Sequence, residues 1–201
     1  MQYKYILSLL FVFLVFSNIN AQSNFRAGAS FNIIFPQGNY KNLAYTGVGG
    51  SLDADYSISN KWAVILSSSY TNLTSKIPLI GIDSKAIDFS IKSFDVLVGG
   101  KYNFNYSFFA LAKLGVSYIK LHANIYDSPS NSTDNTSTDY EPYFTSSIGA
   151  GYRYNLAKDK SDFELSTIFN YTEGDIIDFN TFQIKASLLI YLWYKQHEIE
   201  C

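Results

Sequence analysis

The sequence predicts an all-β fold: an eight-stranded antiparallel up-and-down transmembrane β-barrel, following a cleaved signal peptide. Three observations carry this. Ser93 to Leu121 separates into two combs when read two residues at a time. Phe94, Val96, Val98, Gly100, Tyr102 and Phe104 form one face, and Asp95, Leu97, Gly99 and Lys101 the other. After an Asn105-Tyr106 break the apolar comb resumes with Phe108, Ala110, Ala112, Leu114, Val116 and Tyr118. Strict period-2 alternation marks strands with two unlike environments, and two such runs across a short break form a hairpin. Secondly, eight such runs occur, joined alternately by long and short connections, the pattern of outer loops and periplasmic turns in a membrane barrel. Thirdly, the apolar faces carry aromatics at both ends, as an aromatic girdle at each membrane interface requires.

The elements follow in order. Lys4 precedes an apolar run from Ile6 to Phe16, and Ile19-Asn20-Ala21 resembles a cleavage site, so residues 1–21 read as a secretory signal. Residues 22–194 read as the barrel and 195–201 as a polar periplasmic tail. Strand one runs from Phe25 to Phe35, with Arg26, Gly28, Ser30 and Asn32 inward, and Pro36-Gln37-Gly38-Asn39 ends it. Strand two covers Thr46 to Ser59 and strand three Trp62 to Asn72, joined at Asn60-Lys61. A loop of about eighteen residues with Pro78 and Gly81 precedes the hairpin at 93–121. The Ser/Thr/Asn/Asp-rich stretch from His122 to Pro142 reads as an exposed loop. Strand six spans Tyr143 to Asn155, strand seven starts near Phe163, Glu173 to Asn180 is the last loop, and strand eight spans Phe182 to Tyr194.

Composition agrees. Tyr and Phe number 17 and 16 and only 16% of residues are charged, which suits strands rather than helices. The single Cys is Cys201, so no intrachain disulfide holds the chain. A net charge of −2 gives no reason to expect nucleic acid. No Cys/His cluster has metal-site spacing, and neither a metal nor another cofactor is expected.

Two groups of residues are singled out. The first is inward-facing: Arg26, Lys101, Lys113, Arg153 and Lys185 against Asp53, Asp55, Asp95, Asp162 and Glu164. An eight-stranded barrel is just wide enough to be filled by its side chains, so these charges are expected to pair and plug the lumen. The second is the acidic outer-loop set: Asp127, Asp134, Asp139, Glu141, Glu173, Asp175 and Asp178. The plain reading is solvated coil; the sharper one is weak Ca²⁺ binding or a basic extracellular partner.

In texture the chain resembles the small eight-stranded outer-membrane β-barrel proteins of Gram-negative bacteria, the porin-family barrels common in Bacteroidota. The resemblance rests on strand number, the signal ending in Ala21-Gln22 and the lack of a second domain. Lys185, Ser187, Ile190 and Leu192 match the last-strand assembly signal except for Ser in place of Gly, and the chain continues past Tyr194, where members often end. The resemblance implies location in the cell outer membrane and a non-enzymatic role, structural or in surface recognition through the extracellular loops. It implies outer-membrane lipids, lipopolysaccharide and the barrel-assembly machinery as partners, and leaves room for an unknown extracellular ligand. Two alternatives use the same residues. One is a lipid A deacylase or acyltransferase built on His122, which lacks the His-x-Ser spacing of the deacylases. The other is a soluble lipocalin-like barrel with its apolar comb inside.

Overall fold

The computed structural model describes residues 25–42, 44–74, 86–127, 132–137, 139–157, 160–174 and 178–193, with the backbone alone at 86–89, 123–127, 132–137 and 193. The signal region, the Pro78–Gly81 loop, Asp175, Tyr194 and the tail with His197 and Cys201 lie outside the described residues. The strands are β1 Phe25–Pro36, β2 Gly47–Ser57, β3 Trp62–Thr74, β4 Ala86–Asn103, β5 Phe108–Asp127, β6 Ser132–Ser137, β7 Glu141–Ala157, β8 Ser161–Thr172 and β9 Thr181–Trp193. Sheet order is β4-β3-β2-β1-β9-β8-β7-β5-β6, and an added β4–β5 pairing closes eight of the strands into a barrel. Every neighbouring pair is antiparallel. Among the described residues no helix is long and apolar enough to cross a membrane. The crossing is made by strands, whose backbone groups are all satisfied in a closed barrel.

The alternation decides which side faces lipid. Leu52, Val98, Leu114, Ile148 and Leu188 stand on the outer surface, each at least 47% exposed, whereas Arg26, Lys101, Asp162 and Glu164 are buried inside. The apolar comb therefore faces outward, which removes the lipocalin-like alternative. Aromatics ring both ends. Trp62 and Tyr102 are register partners with ring centroids 4.8 Å apart, and Phe108 and Tyr152 are paired at 5.2 Å on the short-turn side. Towards the long-loop side Phe35 meets Phe182 at 6.3 Å, and Tyr70, Phe94 and Tyr118 lie in one cross-strand row.

Glycine sets how closely the strands approach. A Cβ at Gly28 would lie 1.8 Å from the Leu188 carbonyl oxygen, and one at Gly99 would lie 1.9 Å from that of Ala112. Both positions face inward, where the curved backbones crowd.

Three expectations need correction. First, the stretch after His122 is not all loop: 132–137 pairs with 122–127 as the ninth strand, β6. Ser, Thr, Asn and Asp carry turn signals, but here the extended β5 offers a backbone edge that they complete. Secondly, β4 begins at Ala86 and β5 ends at Asp127, so their hairpin rises beyond the barrel and the loop before it is shorter than expected. Thirdly, three residues assigned to acidic loops belong to strands. Asp127 ends β5, Asp134 lies in β6 opposite Ile125, and Glu141 opens β7.

Candidate functional site

The lumen holds three levels, each built from the inward positions of successive strands. Nearest the short turns is an ion network. Arg26 and Asp55 are direct register partners on β1 and β2, as are Arg153 and Glu164 on β7 and β8. Arg26 donates to Asp55 at 2.6 Å and, beyond β9, to Asp162 at 2.6 Å and Glu164 at 3.3 Å. Lys101 donates to Asp55 at 2.6 Å and to Glu164 at 2.8 Å. Arg153 Nε donates to Glu164 at 2.8 Å, and its Nη2 donates to the Asn103 side chain at 3.1 Å. Asp162 also accepts from the Tyr191 hydroxyl at 2.8 Å and from Asn155 at 3.2 Å. The Phe109 ring supports the cations, 4.6 Å from Lys101 Nζ and 5.7 Å from the Arg153 guanidinium carbon. Arg26, Lys101 and Asp162 are at most 3% exposed. Ion pairs this deep persist only when nearly every donor and acceptor is met.

The middle level is polar and looser. Lys185 donates to Asp53 at 2.6 Å, and Asp53 also accepts from Ser30 at 2.5 Å and Ser67 at 2.7 Å. Lys113 reaches Ser67 at 3.4 Å, and Asp95 accepts from Ser69 at 2.9 Å and from Ser93. Hydroxyls pass between strands from Ser117 through Thr145 to Thr172 at 2.6 and 2.9 Å. A cavity of about 40 Å³ opens here, lined by Asn32, Ser69, Asp95, Lys113, Ser117 and Asn170 among others. The Asn32 side-chain oxygen is buried without a hydrogen-bond partner among the described residues. A cavity of that size in polar surroundings takes water. A second space of about 20 Å³ separates this level from the ion network.

The outer level is an apolar cap. Ile34, Ala44, Leu73, Ile91 and Ile119 pack around Tyr40, with Tyr143 and Phe179 against them. Tyr40 comes from the 3-10 helix Gly38–Asn42, entered through Gly38 at a φ of 58°. Its ring meets Phe179 edge-on at 5.2 Å, and the Gln37 amide donates to the Asn180 carbonyl at 2.8 Å, joining the first and last outer loops. Burial pushes the Tyr40 hydroxyl above its ordinary range, and Asp95 adds to the shift.

The singled-out lumen residues thus meet unequally. Arg26, Asp55, Lys101, Arg153, Asp162 and Glu164 form one network, Asp53 and Lys185 a separate pair, and Asp95 and Lys113 bond to hydroxyls, with no ion pair within 4 Å among the described residues. Sequence reading passed over four participants. Phe109 and Tyr191 follow from the same alternation, since each lies two residues from an inward position. Tyr40 and Phe179 lie in loops, where no periodicity marks direction.

At the rim, Asp139, Glu141, Glu173 and Asp178 are exposed. Among the described residues no three His, Cys, Asp or Glu side chains gather as a metal site. His122 stands on the outer face of β5, opposite Ser90 on β4 and Ser137 on β6. No hydrogen bond among the described residues ties it to a carboxylate.

Residues 6–188 match the family model described as the outer membrane protein beta-barrel domain. No curated protein matches the chain in sequence. Among solved structures, the Yersinia pestis attachment invasion locus protein Ail, in complex with the heparin analogue sucrose octasulfate, superposes with a TM-score of 0.50 at 19% identity, covering 83% of this chain and 97% of that one. Neisserial surface protein A superposes with a TM-score of 0.53 at 12% identity, covering 85% of this chain and 99% of that one. At such identities the likeness is one of fold.

Proposed function

The chain belongs to the outer membrane protein beta-barrel domain family and resides in the cell outer membrane, and on that premise we propose a non-enzymatic barrel with a closed lumen that acts through its outer face. The observation carrying this is the pair of seals within one tube. Lys101 and Arg26 tie β4 and β1 to acids on β2 and β8 near the periplasmic end. The Tyr40–Phe179 cap covers the outer end. Between them remain spaces of water size rather than a pore.

With the interior filled, recognition falls to the outer surface. The hairpin of β4 and β5, widened by β6, rises there as the most extended element. Exposed Asp139, Glu141, Glu173 and Asp178 give the rim a charge suited to a basic partner. Sucrose octasulfate, seen with Ail, has the opposite requirement. Planar-bilayer recording of purified protein tests the closed lumen. Quiet membranes with rare, small openings are expected, and large steady currents would overturn it.

A further inference from the structure

We propose that Lys92 and Lys120 form a phosphate clamp for the headgroup of a phosphorylated outer-leaflet glycolipid. Tyr70, Phe94 and Tyr118 are register partners across β3, β4 and β5, all on the outer face and all about 40% exposed. Such a row marks the upper border of the apolar band. Two residues further out on the same three strands, Asn72, Lys92 and Lys120 form the next row in register. At a rise of about 3.3 Å per residue and the usual barrel tilt, that row lies roughly 5 Å above the aromatics. This is headgroup depth.

The two lysines are direct cross-strand partners on one face. Like charges so placed repel, with Cβ atoms about 5 Å apart. Neither lysine forms an ion pair among the described residues. Lys120 Nζ instead rests 5.5 Å from the Tyr140 ring centroid, which leaves its positive charge in place. An anion with several acceptor oxygens, shared between both ammonium groups, turns this repulsion into attraction. The aromatic row directly beneath selects an amphiphile over a free ion, because the same molecule places its chains against Tyr70, Phe94 and Tyr118. Elsewhere the described rim carries exposed Asp139, Glu141, Glu173 and Asp178, with exposed Lys41 apart on the first outer loop, so the two lysines stand side by side on β4 and β5.

The inference rests on outer-membrane placement and not on the closed lumen, so bilayer currents do not bear on it. The test uses folded full-length protein in uncharged detergent. Native mass spectrometry follows retention of diphosphorylated lipid A, its dephosphorylated form, and lipid A in competition with inorganic phosphate. Wild type is expected to retain diphosphorylated lipid A, and Lys92→Gln/Lys120→Gln to bind it about thirtyfold more weakly, from roughly a fivefold contribution per lysine at an anionic surface. The Lys92→Arg/Lys120→Arg variant should bind like wild type. Heat-modifiable gel mobility checks folding; if the double Gln variant fails it, Lys120→Gln alone should show about a fivefold loss. Equal binding by a folded Gln variant, or equal retention of the dephosphorylated lipid, would overturn the clamp. Displacement by inorganic phosphate at equimolar concentration would overturn the lipid as its source.

Discussion

Lys101 on β4 and Glu164 on β8 meet across the lumen at 2.8 Å, although 63 residues separate them in the chain. Lys101 also holds Asp55, so one ammonium links three strands of the wall. Removing it leaves three buried carboxylates, Asp55, Asp162 and Glu164, to Arg26 and Arg153. Lys101→Met is expected to cost about 3 kcal/mol, in the range for breaking a buried pair. Lys160→Met, at an exposed turn, should stay within about 0.5 kcal/mol of wild type. Denaturant unfolding in micelles, followed by gel mobility, compares the two, and equal midpoints would contradict the assignment.

Glycine spacing gives a second expectation. At Gly28 a methyl group would sit within the Leu188 carbonyl, so Gly28→Ala must push β1 away from β9 at the seam. Among the described residues nothing lies within 4 Å of a Cβ at Gly100, on the outer face. Gly100→Ala should therefore fold with wild-type yield and Gly28→Ala should not. Refolding yield into lipid vesicles is the measurement.

The direction of each strand's faces was legible from alternation alone, and this is where sequence was strongest. Arg26, Asp55, Lys101 and Glu164 all occupy inward positions for that reason. Their partners were not legible, because cross-lumen contacts depend on the stagger between strands, which no single strand encodes. Charge alone puts Asp95 and Lys113 in the set expected to pair, yet each is met by serine hydroxyls. β6 escaped notice because its residues favour turns, and only the protruding edge of β5 makes them a strand.

The lipid face supplies a third expectation. Leu66 is half exposed near the middle of β3, in register with Ala54 and Val98. Leu66→Arg should destabilise the barrel in bilayers by about 2–4 kcal/mol, as charge at the bilayer midplane does. In detergent micelles, where the guanidinium reaches water more easily, the penalty should shrink. Unfolding titrations in the two media distinguish lipid contact from simple loss of packing.

The cap yields a fourth. Tyr40→Ala removes the ring that closes the polar chamber, at a cost of about 3 kcal/mol for a buried aromatic. Thr71→Cys, placed in the chamber wall with Cys201→Ser to remove the native thiol, reports access. A small water-soluble thiol reagent added from outside should label the introduced thiol slowly behind Tyr40. In the Tyr40→Ala background labelling should be about tenfold faster, from loss of the ring that covers the cavity. Equal rates would show that the cap does not limit entry.

The seam between β1 and β9 has a consequence for how the molecule comes into being. The first strand of the wall finds one of its two neighbours only when the last has arrived. Until then, β1 and whichever strand was laid down most recently present open backbone edges that hydrocarbon does not tolerate. Insertion is therefore all or nothing. A chain halted before Thr181 lacks β9, so β1 and β8 keep open edges and the barrel cannot close.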